Sequence, residues 1–174
     1  MKFSHRMTYD AAPADVLKML SDPAFREKVC EAMHAVRRDV SIDGAPEGMA
    51  VVVDQTQPAK GIPSFAKKFV GEEIQIVQHE QWKGGSGADL KVEIPGKPGA
   101  LDGSIALAEQ DGGTVETVQG DITVKIPMLG GKLEALIGDL LGSALRAEER
   151  VGKAWLAGDR YSSELSEPEV AIAA

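Results

Sequence analysis

The sequence predicts an α+β domain: one antiparallel sheet of about seven strands, two short helices after the first strand, and a long helix at the C-terminal end, in the order β-α-α-β6-α. Three observations predict it. Residues 2 to 10 alternate apolar and polar with the period of a half-buried strand. Residues 36 to 126 form successive alternating runs divided by turn-forming clusters. Residues 130 to 157 carry an apolar stripe at helical spacing.

In the first strand Phe3, His5, Met7 and Tyr9 share one side and Ser4, Arg6 and Thr8 the other, so the odd side should face inward. "APADVLKML" sets Pro13 near a helix start with Val16, Leu17 and Leu20 on one face. "SDPAFREKVCEAM" restarts a helix with Asp22 as N-cap, Pro23 in the first turn, and Phe25, Val29, Ala32 and Met33 as the buried stripe. The clusters "DGAPEG", "KGGSG", "PGKPG" and "DGG" then separate strands in a meander. Alternation is clear in Leu90, Val92 and Ile94, in Leu101, Gly103, Ile105 and Leu107, and in Val118, Gly120, Ile122, Val124 and Ile126. One sheet face is therefore apolar and needs a cover. Within this region "PAKGIPSFAKKFVG" (58–71) leaves a short amphipathic turn, a mobile flap and a plain loop open.

The cover is the segment 130–157, with Leu133, Ile137, Leu140, Ala144, Val151 and Trp155 on one stripe and Asp139, Arg146, Glu149, Arg150 and Lys153 opposite. Those charges interrupt the run of about 20 apolar residues that a bilayer span requires. Projection at roughly 100° per residue places Gly138 and Gly142 off the stripe centre, toward the polar flank. Beyond Gly158, "DRYSSELSEPEVAIAA" loses periodicity and gains charge, so the expected organisation is one domain over residues 1–158 and a flexible acidic tail over 159–174.

With 43% apolar and 26% charged residues the chain has the composition of an ordinary globular protein. Its net charge of −8 opposes contact with nucleic acid or anionic lipid. The single cysteine, Cys30, has no partner for an internal disulfide, and no apolar signal segment follows Met1, so a cytoplasmic location is expected.

The element order, the opening "FSHRMTYDAAPADVLKMLSDPAF" running into Pro-started helices, and the amphipathic terminal helix resemble the helix-grip fold of the START/Bet v 1-like (SRPBCC) superfamily over about residues 1–158. Within it, "SDPAFREKVCEA" and "VGKAWLAG" look like an uncharacterised actinobacterial domain-of-unknown-function family. The resemblance implies a curved sheet wrapped around the long helix and a cavity for lipid-, sterol- or polyketide-like molecules. Inward positions then nominate the ligand-facing set. They are His5, Met7 and Tyr9 on the first strand, Phe25 on the second helix, and Ile76, Gln78 and Trp82 on the strand before "KGGSG". The later strands add Leu90, Val92, Ile105, Leu107, Val118 and Ile122, and the terminal helix adds Ile137, Leu140, Leu141 and Glu148.

No paired cysteines, HExxH, GxSxG or phosphate-binding loop is present, and the histidines at 5, 34 and 79 lack metal-ligand spacing, so neither a cofactor nor a metal is expected. His5 on the inward side needs a partner: it serves a ligand or proton transfer, or it is a core histidine satisfied by a neighbour, the commoner case. Glu148 projects near the apolar stripe, where it either anchors a polar ligand group or, more commonly, reaches the rim beside a base such as Arg6 or Arg38. Gln78, Glu80 and Trp82 share a face with Ile74 and Ile76 as pocket wall or mouth, although a strand end turning to solvent would equally explain Glu80. Arg37 and Arg38 read as solvated surface, and Lys67 and Lys68 beside Phe65 and Phe69 raise a membrane contact that the net charge disfavours. These features favour a non-catalytic carrier or sensor of a small hydrophobic molecule. A cyclase or hydratase using His5 or Glu148, and a protein-interaction module with a vestigial cavity, are the alternatives. Ligand identity and oligomeric state are not encoded in any motif.

Overall fold

The computed structural model describes residues 1–158, so the tail expected over 159–174 lies outside the described residues. The opening alternation forms β1 (Lys2–Tyr9), with Met7 and Tyr9 buried and the even positions exposed. Pro13 opens α1 (Pro13–Leu20) and Pro23 opens α2 (Pro23–Ala32), at first-turn positions where the missing N–H breaks no helical bond. The Asp22 carboxylate accepts the Ala24 N–H, so the expected N-cap forms.

Six strands follow: β2 (Arg37–Asp43), β3 (Ala50–Pro58), β4 (Glu73–Lys83), β5 (Gly87–Glu93), β6 (Gly99–Gln110) and β7 (Gly113–Val124). They pair antiparallel in the order β1-β7-β6-β5-β4-β3-β2, so the first strand lies beside the last. Asp111 and Gly112, both at positive φ, turn β6 into β7. Gly103 and Gly120 face each other across these two strands. A Cβ on Gly103 would fall 2.0 Å from the Gln119 carbonyl oxygen, so no side chain fits where the curved sheet tightens.

Residues 58–71, left open by the sequence, contain α3 (Ser64–Val70). Its Phe65 and Phe69 pack with Ala66, Val124 and Leu133, and Lys132 lies 5.0 Å from the centre of the Phe65 ring. The aromatic side of this segment is therefore turned onto the protein.

The terminal helix is α4 (Gly130–Leu156), and its principal contacts are with β1 and β7 on one side and α1 and α2 on the other. Glu134 ties its first turn to the sheet by accepting the Val124 N–H at 3.0 Å, and Glu149 accepts the Thr8 N–H of edge strand β1 at 2.7 Å. Gly138 and Gly152 make room where the helix meets the sheet edge, and a Cβ on Gly142 would meet only Arg146 of the same helix. A Cβ on Gly138 would come 2.7 Å from Met1 Cε, one on Gly152 would come 2.7 Å from Tyr9 Cε1, and Gly142 is buried. The helix approaches β1 through positions without side chains, which apolar periodicity alone does not weight. Among the described residues, no helix is long and apolar enough to cross a membrane.

Candidate functional site

Because α4 leans on the β1–β7 side, space remains beneath it toward β3–β6. That space is a cavity of about 450 Å³. Val53, Ile74, Ile76, Val92 and Leu101 form its sheet wall, Val29 and Cys30 come from α2 and Met33 from its C-cap, and Ile137, Leu141 and Ala144 come from α4. Leu140, 45% exposed, sits at the mouth with the exposed Lys60 and Arg150. Burial pushes the Cys30 thiol up to about 11, against the pull of Arg38 and Arg26.

The inner end is polar. Arg26 occurs three residues before Val29 and four before Cys30, so α2 carries it into the core on its buried stripe. Its Nε donates to the Leu20 carbonyl at 2.8 Å, and its two terminal nitrogens donate to Glu80 Oε2 and Oε1 at 2.7 and 3.0 Å. Trp82 Nε1 donates to Glu80 Oε1 at 2.8 Å and Gln78 Nε2 to Oε2 at 2.6 Å, so each Glu80 oxygen receives two donors. Arg26 and Glu80 are 5% and 3% exposed, which corrects the reading of Glu80 as a strand end turned to solvent. Burial works against the Arg26 charge, but the charge and hydrogen bonds of Glu80 outweigh it and hold the guanidinium above its ordinary pKa.

Two further carboxyls meet this pair. Glu116 of β7 and Glu148 of α4 line a second, inner void of about 30 Å³ together with Arg26, Gln78 and Glu80. Glu116 is 2% exposed, and its Oε2 is the one fully buried side-chain polar atom among the described residues without a hydrogen-bond partner. Burial, then the neighbouring Glu148, raises the Glu116 pKa well above the usual carboxylate range, with Arg26 opposing and Glu80 adding to the rise. Burial also raises Glu148, to about 7, with Arg26 opposing and Glu80 reinforcing. The arrangement can therefore hold or release a proton near neutral pH. Among the described residues, no group of three or more His, Cys, Asp or Glu side chains is arranged to hold a metal ion.

Of the residues nominated from sequence, Ile76, Gln78, Val92, Ile137, Leu140, Leu141 and Glu148 line the larger cavity, and Leu90, Ile105 and Val118 line the inner void. Met7, Tyr9, Phe25, Trp82, Leu107 and Ile122 lie on neither wall; protein atoms enclose them in the main core. The cause is the seating of α4, whose C-terminal half fills that end of the sheet: Trp155 meets Phe25 edge-on at 5.7 Å, and Gly152 lies against Tyr9. His5, half-buried on edge strand β1, also lies on neither wall, whereas Phe3 on the same side of that strand lines the inner void. Glu148 has neither base expected beside it: Arg6 donates to Gln110 and Arg38 to Glu31. Arg26 and Glu116 went unnominated, although each continues an apolar series, Arg26 that of Val29 and Met33, and Glu116 that of Val118, Gly120 and Ile122.

A seven-stranded curved sheet and a long covering helix with a cavity between them define a helix-grip protein. The chain belongs to the family described as "Protein of unknown function (DUF2505)", which it matches over residues 4–156. It is 30% identical over 124 residues to Uncharacterized protein Rv0481c of Mycobacterium tuberculosis strain H37Rv, covering 68% of this chain and 70% of that one. Among solved structures it is similar to TTHA0849 from Thermus thermophilus, with a TM-score of 0.60 at 17% identity over 88% of this chain and 98% of that one. Ara h 8.0201 gives 0.59 at 14% identity over 87% and 97%. The di-domain ARO/CYC StfQ from the steffimycin biosynthetic pathway gives 0.62 at 16% identity, over 88% of this chain and 50% of that one. At such identities these likenesses show the fold.

Proposed function

We propose that this protein binds a small hydrophobic molecule between α4 and the sheet, as a carrier or sensor. The cavity of about 450 Å³ with an apolar wall and one polar end carries this reading. A guest hiding about 300 Å² of apolar surface would gain on the order of 7 kcal/mol at roughly 25 cal/mol per Å², before ordering costs, enough for micromolar-range binding. Its contacts are Ile76, Val92, Ile137, Leu140 and Leu141 along the body, with Gln78 and Glu148 at the end. The fold shared with Ara h 8.0201 and StfQ supports the reading.

Ala144 of α4 lies on the cavity wall, so Ala144→Trp would fill the space from within. Native mass spectrometry of the protein purified from its own host is expected to show a retained small molecule, and the Ala144→Trp variant is expected to lose it while keeping its thermal midpoint. A wild-type protein that retains nothing and takes up no molecule from an apolar panel would overturn the proposal.

Glu148 at the cavity end favours a second reading, a proton-transfer enzyme acting on the same class of molecule. Its mechanism would use Glu148 without His5, which lies off the cavity wall.

A further inference from the structure

We infer that the inner void is a head-group site for a hydrophobic primary amine, bound as its ammonium, with Glu116 and Glu148 as acceptors. This rests on the hydrophobic-guest reading and specifies the polar group that the guest carries.

Charge and hydrogen bonding both point to a cation. Three carboxyls, of Glu80, Glu116 and Glu148, line the void and Arg26 is the one cation among its lining residues. Arg26 is committed to Glu80 and to the Leu20 carbonyl, and Glu80 is saturated by four donors. Glu116 and Glu148 both line the void, and Glu116 Oε2 is buried and without a partner. An ammonium brings three donors and a positive charge to these two acceptors. A carboxylate or phosphate guest brings no donor to these two side chains and sets its negative charge beside three carboxyl groups.

Size agrees with charge. At about 30 Å³ the void is small against the cavity beside it, and it suits a compact head group such as an ammonium. Leu141 and Leu145 border both spaces, so a hydrocarbon chain attached to that nitrogen can run from the void into the larger cavity toward Leu140.

The groups facing the site are Arg26 from α2, Gln78 and Glu80 from β4, Glu116 from β7 and Glu148 from α4, with Tyr9 of β1 beside Glu116. In the empty protein, burial favours the protonated form of both Glu116 and Glu148. An entering ammonium reverses that preference, so binding releases protons and tightens as pH rises from about 5 to about 8.

The test is calorimetric titration of the full chain with decylamine, 1-decanol and decanoate near neutral pH, repeated in two buffers of different ionisation enthalpy. Decylamine is expected to bind at least about tenfold tighter than the other two and to release protons. In the double variant Glu116→Gln/Glu148→Gln, whose side chains keep their shape, that preference is expected to vanish, with decanol uptake showing that the cavity is intact. Equal affinity for amine and alcohol, tighter binding of decanoate, or no proton release would overturn the head-group site while leaving the cavity reading in place. Failure of all three to bind would also overturn it, and the Ala144→Trp experiment would then decide the cavity reading separately.

Discussion

The two ends of the cavity are built by opposite means. At the inner end, α2, β4, β7 and α4 converge on a fixed network in which Arg26, Glu80, Trp82 and Gln78 are joined by hydrogen bonds of 2.6 to 3.0 Å. At the outer end, α3 and the start of α4 meet through a small apolar cluster around Ala66, Val124 and Leu133, with Leu140 half in solvent. Directional bonds fix one end to a single geometry, while non-directional contacts let the other shift at small cost. Under the proposed binding function, discrimination between guests would belong to the inner end and uptake to the outer one.

The largest expected effect tests the fixed end. Arg26→Met would leave Glu80 buried with a missing countercharge and should cost about 3–5 kcal/mol in urea unfolding, and a second change, Glu80→Leu, should recover much of the loss. Next comes pH. Folded Glu148 keeps its proton up to about 7, whereas the unfolded chain releases it near 4.5, so the native state binds more protons between those values. The stability this provides is complete below about 4.5 and is lost as pH rises through about 7, with Glu116 acting in the same direction. Against wild type, Glu148→Gln should gain on the order of 2 kcal/mol across that window. The smallest effect compares the two ends of α4. Gly152→Ala would drive a methyl against the Tyr9 ring and cost about 1–3 kcal/mol in thermal unfolding. Gly138→Ala would meet only the movable tip of Met1 and should stay within about 1 kcal/mol of wild type, because alanine favours the helix.

Much of the fold was legible because it is written in local periodicity: Leu90 and Val92, Leu101 to Leu107 and Val118 to Val124 alternate as they pair, and the stripe from Leu133 to Trp155 is one helix. The short α3 was ambiguous because seven residues between Pro63 and Gly71 support only weak periodicity. The site was legible in part. Gln78 and Glu148 stand out as polar groups on apolar faces, but Arg26 and Glu116 interrupt an apolar series with charge and so read as its end. Their meaning depends on partners far along the chain; Arg26 and Glu80 are 54 residues apart, and no spacing rule links them. Met7, Tyr9, Phe25, Trp82, Leu107 and Ile122 lie in the core and off both cavity walls, because periodicity identifies the inward face and not which part of it the helix covers.

The single thiol, that of Cys30, lies on the cavity wall, with its proton held to about 11. It is therefore inert while the cell is near neutrality. In alkaline solution, however, a small uncharged alkylating reagent would reach it through the cavity that Cys30 lines, and a bound molecule would slow that reaction. Under the proposed binding, the labelling rate would then report occupancy without an added dye.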